Sequence, residues 1–209
     1  MMMRIESIAS QPDRAGRHAV RFESGESMRL YRQTVEDFGL YTGLELTDEE
    51  FAKLTEAAGK MSAKMRAVRI ISASGITKRE LEHRLIQKGE DAQNAKEAVA
   101  WLTDMDLLDD SKTARNIVER CIHKGYGIAR AKQALYEKRV PKHLWEDALA
   151  DYPSQQSHIL SYLENHPEIR EDRKARDRVI NALLRRGHSY GEIRRAMEEL
   201  SLQMEENDG

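Results

Sequence analysis

Three stretches of this chain align without a gap when the sequence is laid over itself: LIQKGEDAQNAKEAVAWL from Leu85, LYEKRVPKHLWEDALADY from Leu135 and LLRRGHSYGEIRRAMEEL from Leu183. The offsets are 50 and 48 residues. Each stretch opens on leucine, carries a basic residue at its fourth position (Lys88, Lys138, Arg186) and an alanine at its fourteenth (Ala98, Ala148, Ala196). A small side chain at a fixed place on a packed face lets two helices approach closely. A period near 49 residues exceeds the roughly 34 of a two-helix repeat and suits three short helices.

The apolar spacing supplies those helices, at roughly 48–71, 78–88 and 91–105, then 111–123, 128–138 and 142–152, then 155–165, 170–186 and 190–200. Ala114, Ile117, Val118, Cys121 and Ile122 form a one-sided stripe, and Phe51, Leu54, Ala58, Met61 and Met65 continue toward Ile70. Thr47 with Glu50, Thr77 with Glu80, and Ser189 with Glu192 have the spacing of capping boxes. A unit of three short helices has too little core alone, so neighbours must stack. The expected fold is mainly α: three tandem three-helix repeats forming an elongated curved molecule.

Before Thr47 the period is that of strands. His18 to Phe22 and Met28 to Tyr31 alternate around the turn signal Glu23-Ser24-Gly25-Glu26, and Ile5 and Ile8 suggest a first strand. A small β-hairpin or sheet is expected there, ending near Gly43 and leaning on the following helices, since two strands alone are marginal. The division expected is a β extension over 1–46, repeats over 47–106, 107–152 and 153–201, and an acidic disordered tail over 202–209.

Gly125-Tyr126-Gly127 invites comparison with a phosphate loop, yet an amphipathic helix precedes it and no Gly-Lys-Ser/Thr follows. It reads as a corner, with Gly125 as a left-handed cap and Gly127 opening the next helix. Asp109-Asp110 reads as a helix cap in preference to an acid/base pair. The seven histidines fall in no metal-ligand spacing, and the single cysteine, Cys121, fits a small buried hydrophobe in a reducing compartment. Trp101 and Trp145 lie on apolar faces and read as packing. No nucleophile motif occurs, so neither catalysis nor a cofactor or metal is expected. No apolar run approaches the roughly 20 residues of a membrane span, and a cytoplasmic protein is expected.

Glu80-Leu81, Leu85, Lys88-Gly89, Leu107-Leu108-Asp109-Asp110, Ala114, Arg120, Gly125-Tyr126-Gly127, Arg130, Leu135, Lys138 and Arg185-Arg186-Gly187-His188-Ser189-Tyr190 resemble the RecX family in order and spacing. The resemblance spans about Ile70 to Leu200. It implies a bacterial regulator that binds the RecA filament on single-stranded DNA and restrains its growth, ATP hydrolysis and strand exchange in repair and recombination. Two departures stand out: Ser72-Ala73-Ser74-Gly75 lies where many members have a basic residue, and Arg139 stands where the other two repeats have glycine.

Total charge hides the distribution: 34 basic and 36 acidic residues nearly cancel, while residues 111–152 hold 9 basic against 5 acidic. The partner-binding candidates are therefore Lys88, Arg115, Arg120, Lys124, Tyr126, Arg130, Lys132, Lys138, Arg139, Arg185, Arg186, Arg194 and Arg195. About half of such a set belongs to an ordinary solvated face. A monomer is expected, with weak direct DNA binding. The rival readings are a sequence-nonspecific DNA-binding helical module and a helical-repeat scaffold for another protein.

Overall fold

A computed structural model describes residues 2–73, 75–169 and 172–207. Ten α-helices and four strands lie among the described residues, so the chain is mainly helical with a small N-terminal sheet, as expected. It divides into two compact units, Met1–Leu108 and Asp109–Gly209.

In the first unit, strands β1 (Met3–Ile8), β2 (Arg17–Phe22), β3 (Ser27–Tyr31) and β4 (Glu45–Leu46) pair antiparallel in the order β3-β2-β1-β4. A short helix α1 (Arg32–Asp37), which the sequence pattern does not announce, links β3 toward β4. The alternation turns Ile5, Val20, Phe22 and Leu30 to one face, where all four are almost fully buried. Helix α2 (Asp48–Ala73) covers that face with Leu54, and Phe51 meets the Phe22 ring edge-on at 5.2 Å.

Farther along, α2 belongs to a second core with α3 (Lys78–Gln87) and α4 (Ala92–Asp104). Its buried stripe there is Ala63 and Ala67, not Met65, which is exposed. Alanines win these positions because α2 and α4 pack along much of their length, and close approach leaves no room for longer side chains.

The second unit contains α5 (Asp110–His123), α6 (Ile128–Glu137), α7 (Trp145–Leu149), α8 (Gln155–Glu164), α9 (Arg173–Arg185) and α10 (Tyr190–Asn207). Its buried side chains fall into two clusters, one around Ile117 and Leu135 and one around Leu163 and Leu183. Where the spacing predicts one helix over 142–152, the chain forms a 3₁₀ turn at Lys142–Leu144 and then the short α7. The Trp145 indole donates to the Val140 carbonyl at 3.0 Å, fixing the entry, and Pro153 disfavours helix in the residue before it. Ala148 is accordingly only half-buried, unlike Ala98 and Ala196. At the other end α10 continues to Asn207, so 202–207 extend the helix where the sequence suggests a tail; Leu202, Gln203, Met204, Glu205 and Glu206 are all good helix formers. Residues 208 and 209 lie outside the described residues.

Candidate cationic binding grooves

The double-glycine bend is a corner docked on another corner. Gly125 takes a left-handed φ of 63°, and the bend closes α5 with bonds from Gly125 N to Ile122 O (2.8 Å) and from Tyr126 N to Cys121 O (3.0 Å). The third N–H, that of Gly127, donates to Arg186 O at 2.8 Å, across to the α9–α10 corner. All three amides that a phosphate loop would point at an anion are thus spent inside the protein.

The carbonyls of the bend are used as well. His188, 4% exposed, contacts Gly125 O through Nε2 at 3.1 Å, and the Tyr152 hydroxyl donates to Tyr126 O at 2.7 Å. A carbonyl can only accept, so His188 carries its proton on Nε2, leaving Nδ1 buried without a partner. Burial lowers the His188 pKa from its ordinary value and pushes the Tyr152 hydroxyl up to about 12. The two corners touch so closely that a Cβ on Gly127 would sit 2.1 Å from Gly187 O, and one on Gly187 would sit 2.6 Å from Arg130 N.

This joint gathers cations from helices far apart in sequence. A groove of about 720 Å³ is lined by Lys124, Tyr126 and Arg130 on one side and by Tyr162, Ala182, Arg185 and Arg186 on the other. A smaller hollow of about 230 Å³ shares Lys124, Tyr126 and Arg130 and adds Arg120 and Lys138. Seven of the thirteen sequence candidates therefore meet on one continuous surface. Arg186 lies 4.4 Å from the centre of the Tyr162 ring, and the Lys124 ammonium lies 5.9 Å from that of Tyr126. Such rings orient a cation without neutralising it. Glu137, 3.3 Å from Arg130, is the one carboxylate lining either hollow among the described residues.

The remaining candidates lie elsewhere. Arg115 and Lys132 are exposed and line neither hollow. Arg139 is exposed at its own corner, Arg194 is paired with Glu198 at 2.8 Å, and Arg195 donates to Gly191 O on its own helix. Lys88 is in the first unit, where it joins Arg17, Arg66, Arg69 and Arg84 around a separate groove of about 440 Å³. Sequence reasoning missed those four arginines and Tyr162. Arg66 and Arg69 are three apart on one helix and Arg84 and Lys88 four apart on the next, spacings that put each pair on one face. Tyr162 carried no such signal.

Asp109 caps α5 by accepting from Lys112 N at 3.0 Å, which is the main cause of its lowered pKa. Cys121 is buried, and burial raises its thiol pKa. Among the described residues no group of three His, Cys, Asp or Glu side chains is placed to hold a metal ion, and no helix is long and apolar enough to cross a membrane.

Helices joined at tight corners, with their cations collected in open grooves, define a helical protein with a cationic grooved surface. Comparison with known proteins narrows the class. No family model matches the chain. The regulatory protein RecX of Vibrio parahaemolyticus is 28% identical over 144 residues, covering 67% of this chain and 92% of its own. That of Streptococcus mutans is 25% identical over 190 residues, covering 89% and 74%. A crystal structure of regulatory protein RecX superposes with a TM-score of 0.63 at 19% identity, covering 94% of this chain and 99% of its own. RecX from Lactobacillus salivarius gives 0.61 at 24% identity, covering 70% and 99%. Sequence relatives and fold together support the RecX family of regulatory proteins.

Proposed function

We propose that this chain binds the RecA nucleoprotein filament and restrains its growth, its ATP hydrolysis and strand exchange, acting as a non-catalytic cytoplasmic monomer. What supports this beyond the likeness to RecX proteins is the convergence of Arg120, Lys124, Arg130, Lys138, Arg185 and Arg186 on the linked grooves of the second unit. Six cations facing one lining carboxylate form a surface complementary to acidic groups on a partner. Several modest charge contacts over a long interface give orientation and fast association more than raw affinity. Function then follows from position: a body held against neighbouring subunits hinders their relative motion and the arrival of the next one.

RecA ATPase on single-stranded DNA, measured with and without the protein, tests the reading. Inhibition is expected at stoichiometric protein, and unchanged ATPase overturns the proposal. Lys124→Glu with Arg185→Glu, both exposed positions, should weaken inhibition by roughly tenfold or more, the loss expected when like charge replaces attraction at an interface. Circular dichroism confirms that the fold is retained.

A further inference from the structure

The second basic groove lies in the first unit, and its walls come from the sheet as well as from the helices. Arg66 and Arg69 reach it from α2, Arg84 and Lys88 from α3 and its end, and Arg17 from the start of β2. Among the described residues eight line it, of which five are cationic and none is acidic.

Carboxylates do accompany three of the arginines, but they are not part of the lining. Asp13 takes Arg17 at 2.8 Å, Glu90 takes the Nε of Arg66 at 2.6 Å, and Glu80 takes the Nε of Arg84 at 2.8 Å. Arg69 is held differently. Its Nη2 donates to the Tyr31 hydroxyl at 2.7 Å and its Nε to Met65 O at 3.2 Å, both neutral acceptors. Among the described residues no carboxylate lies within 4 Å of Arg69 or Lys88, and both are exposed. Two full positive charges therefore stand in a concavity whose other three guanidiniums are anchored in place.

The chemistry of the lining selects the ligand. Its apolar part is two alanines and Ile70, with no aromatic ring for a protein anchor or for stacking a base. Tyr31, whose hydroxyl reaches Arg69, is itself buried. Fixed guanidinium forks beside an ammonium suit phosphate oxygens, which they bind without reading sequence. We propose that this groove holds the phosphodiester backbone of a nucleic-acid strand, independently of the surface assigned to RecA.

The test needs no recombinase. Anisotropy of a labelled single-stranded oligo-dT is titrated with the full chain, with Arg69→Glu, with Lys88→Glu, and with Lys96→Glu, an exposed α4 position outside the groove with the same charge change. Each groove variant should bind at least about fivefold more weakly and lower the log–log salt slope by about 0.7, the value for one lost phosphate contact on a single strand. Lys96→Glu should stay within about twofold, and oligo-dA should behave as oligo-dT, because backbone contacts carry no sequence information. Should Arg69→Glu fail to fold, Lys88→Glu decides alone, its exposed side chain standing at the end of α3. Groove variants that match Lys96→Glu overturn the proposal, as does a wild type that fails to bind. So does polyglutamate binding that is lost in Lys88→Glu while oligonucleotide binding persists, since that marks an acidic protein as the occupant. RecA inhibition is read separately through Lys124 and Arg185, so either result stands without the other.

Discussion

The corner after α6, at Arg139, and the corner after α9, at Gly187, close with the same pair of backbone bonds. Arg139 N reaches Tyr136 O at 2.9 Å and Val140 N reaches Leu135 O at 3.0 Å; Gly187 N reaches Leu184 O at 2.9 Å and His188 N reaches Leu183 O at 3.2 Å. Both residues take left-handed φ, 55° and 87°. Yet one is an exposed arginine, and the other a glycine whose missing side chain leaves room for the α6 backbone. Backbone conformation and packing are thus separate demands on a corner. An L side chain meets the first at a cost of about 1 kcal/mol, whereas no side chain meets the second without moving backbone.

The strongest test of that separation lies within the bend itself. Gly125 needs its φ of 63° but has open space where a Cβ would go, whereas Gly127 has an ordinary φ and a carbonyl 2.1 Å from that place. Gly127→Ala should part the corners, lose the bond to Arg186 O and cost roughly 3 kcal/mol or more, the range for overpacking combined with a broken buried bond. Gly125→Ala should cost about 1 kcal/mol from conformation alone. Urea unfolding of both variants measures the difference. Equal losses would mean that the two demands are not separable here.

His188 supplies the next test, because it belongs to the packed corner only. The groups around it are Glu192, His158 and Arg186, and burial is the main reason its pKa is lowered. Above a pH of about 6.5, the ordinary histidine value, the ring is neutral folded or unfolded and pH has no effect through it. As pH falls below that value the unfolded chain takes up a proton that the folded joint refuses, so stability declines until the lower folded pKa is passed. His188→Gln keeps a donor for Gly125 O but cannot take a proton. Its urea midpoint should change less than that of the wild type between pH 7.5 and 5.5, and parallel curves would remove His188 from the account.

How much of this was legible depends on whether the physics is local. Thr47 and Glu50 form their capping box in both directions, as do Ser189 and Glu192. Thr77 likewise accepts from Glu80 N, and the Glu80 carboxylate also meets Arg84 one turn on. Each of these pairs lies within one helical turn, where spacing alone sets geometry. The left-handed cap at Gly125 was legible for the same reason. The second role of Gly127 was not, because it depends on Gly187, 60 residues on. The groove arginines of the first unit also converge across elements, from β2, α2 and α3, and each by itself resembles any solvated charge.

The smallest effect bears on the exposed corner. Arg139→Gly removes a Cβ from a left-handed conformation, which favours the folded state by about 1 kcal/mol or slightly more. It also frees the unfolded chain, which returns part of that gain. The backbone contribution should be a stabilisation of roughly 0.5 kcal/mol, from which the loss of the arginine's own side-chain interactions subtracts. The denaturant slope should stay unchanged because the exposed side chain buries little surface. Arg139→Asn separates the two contributions, since asparagine tolerates left-handed φ without the extra freedom of glycine. If both variants are neutral or destabilising, the arginine side chain itself holds the corner, and the Arg139 corner is then no simpler than the one at Gly187.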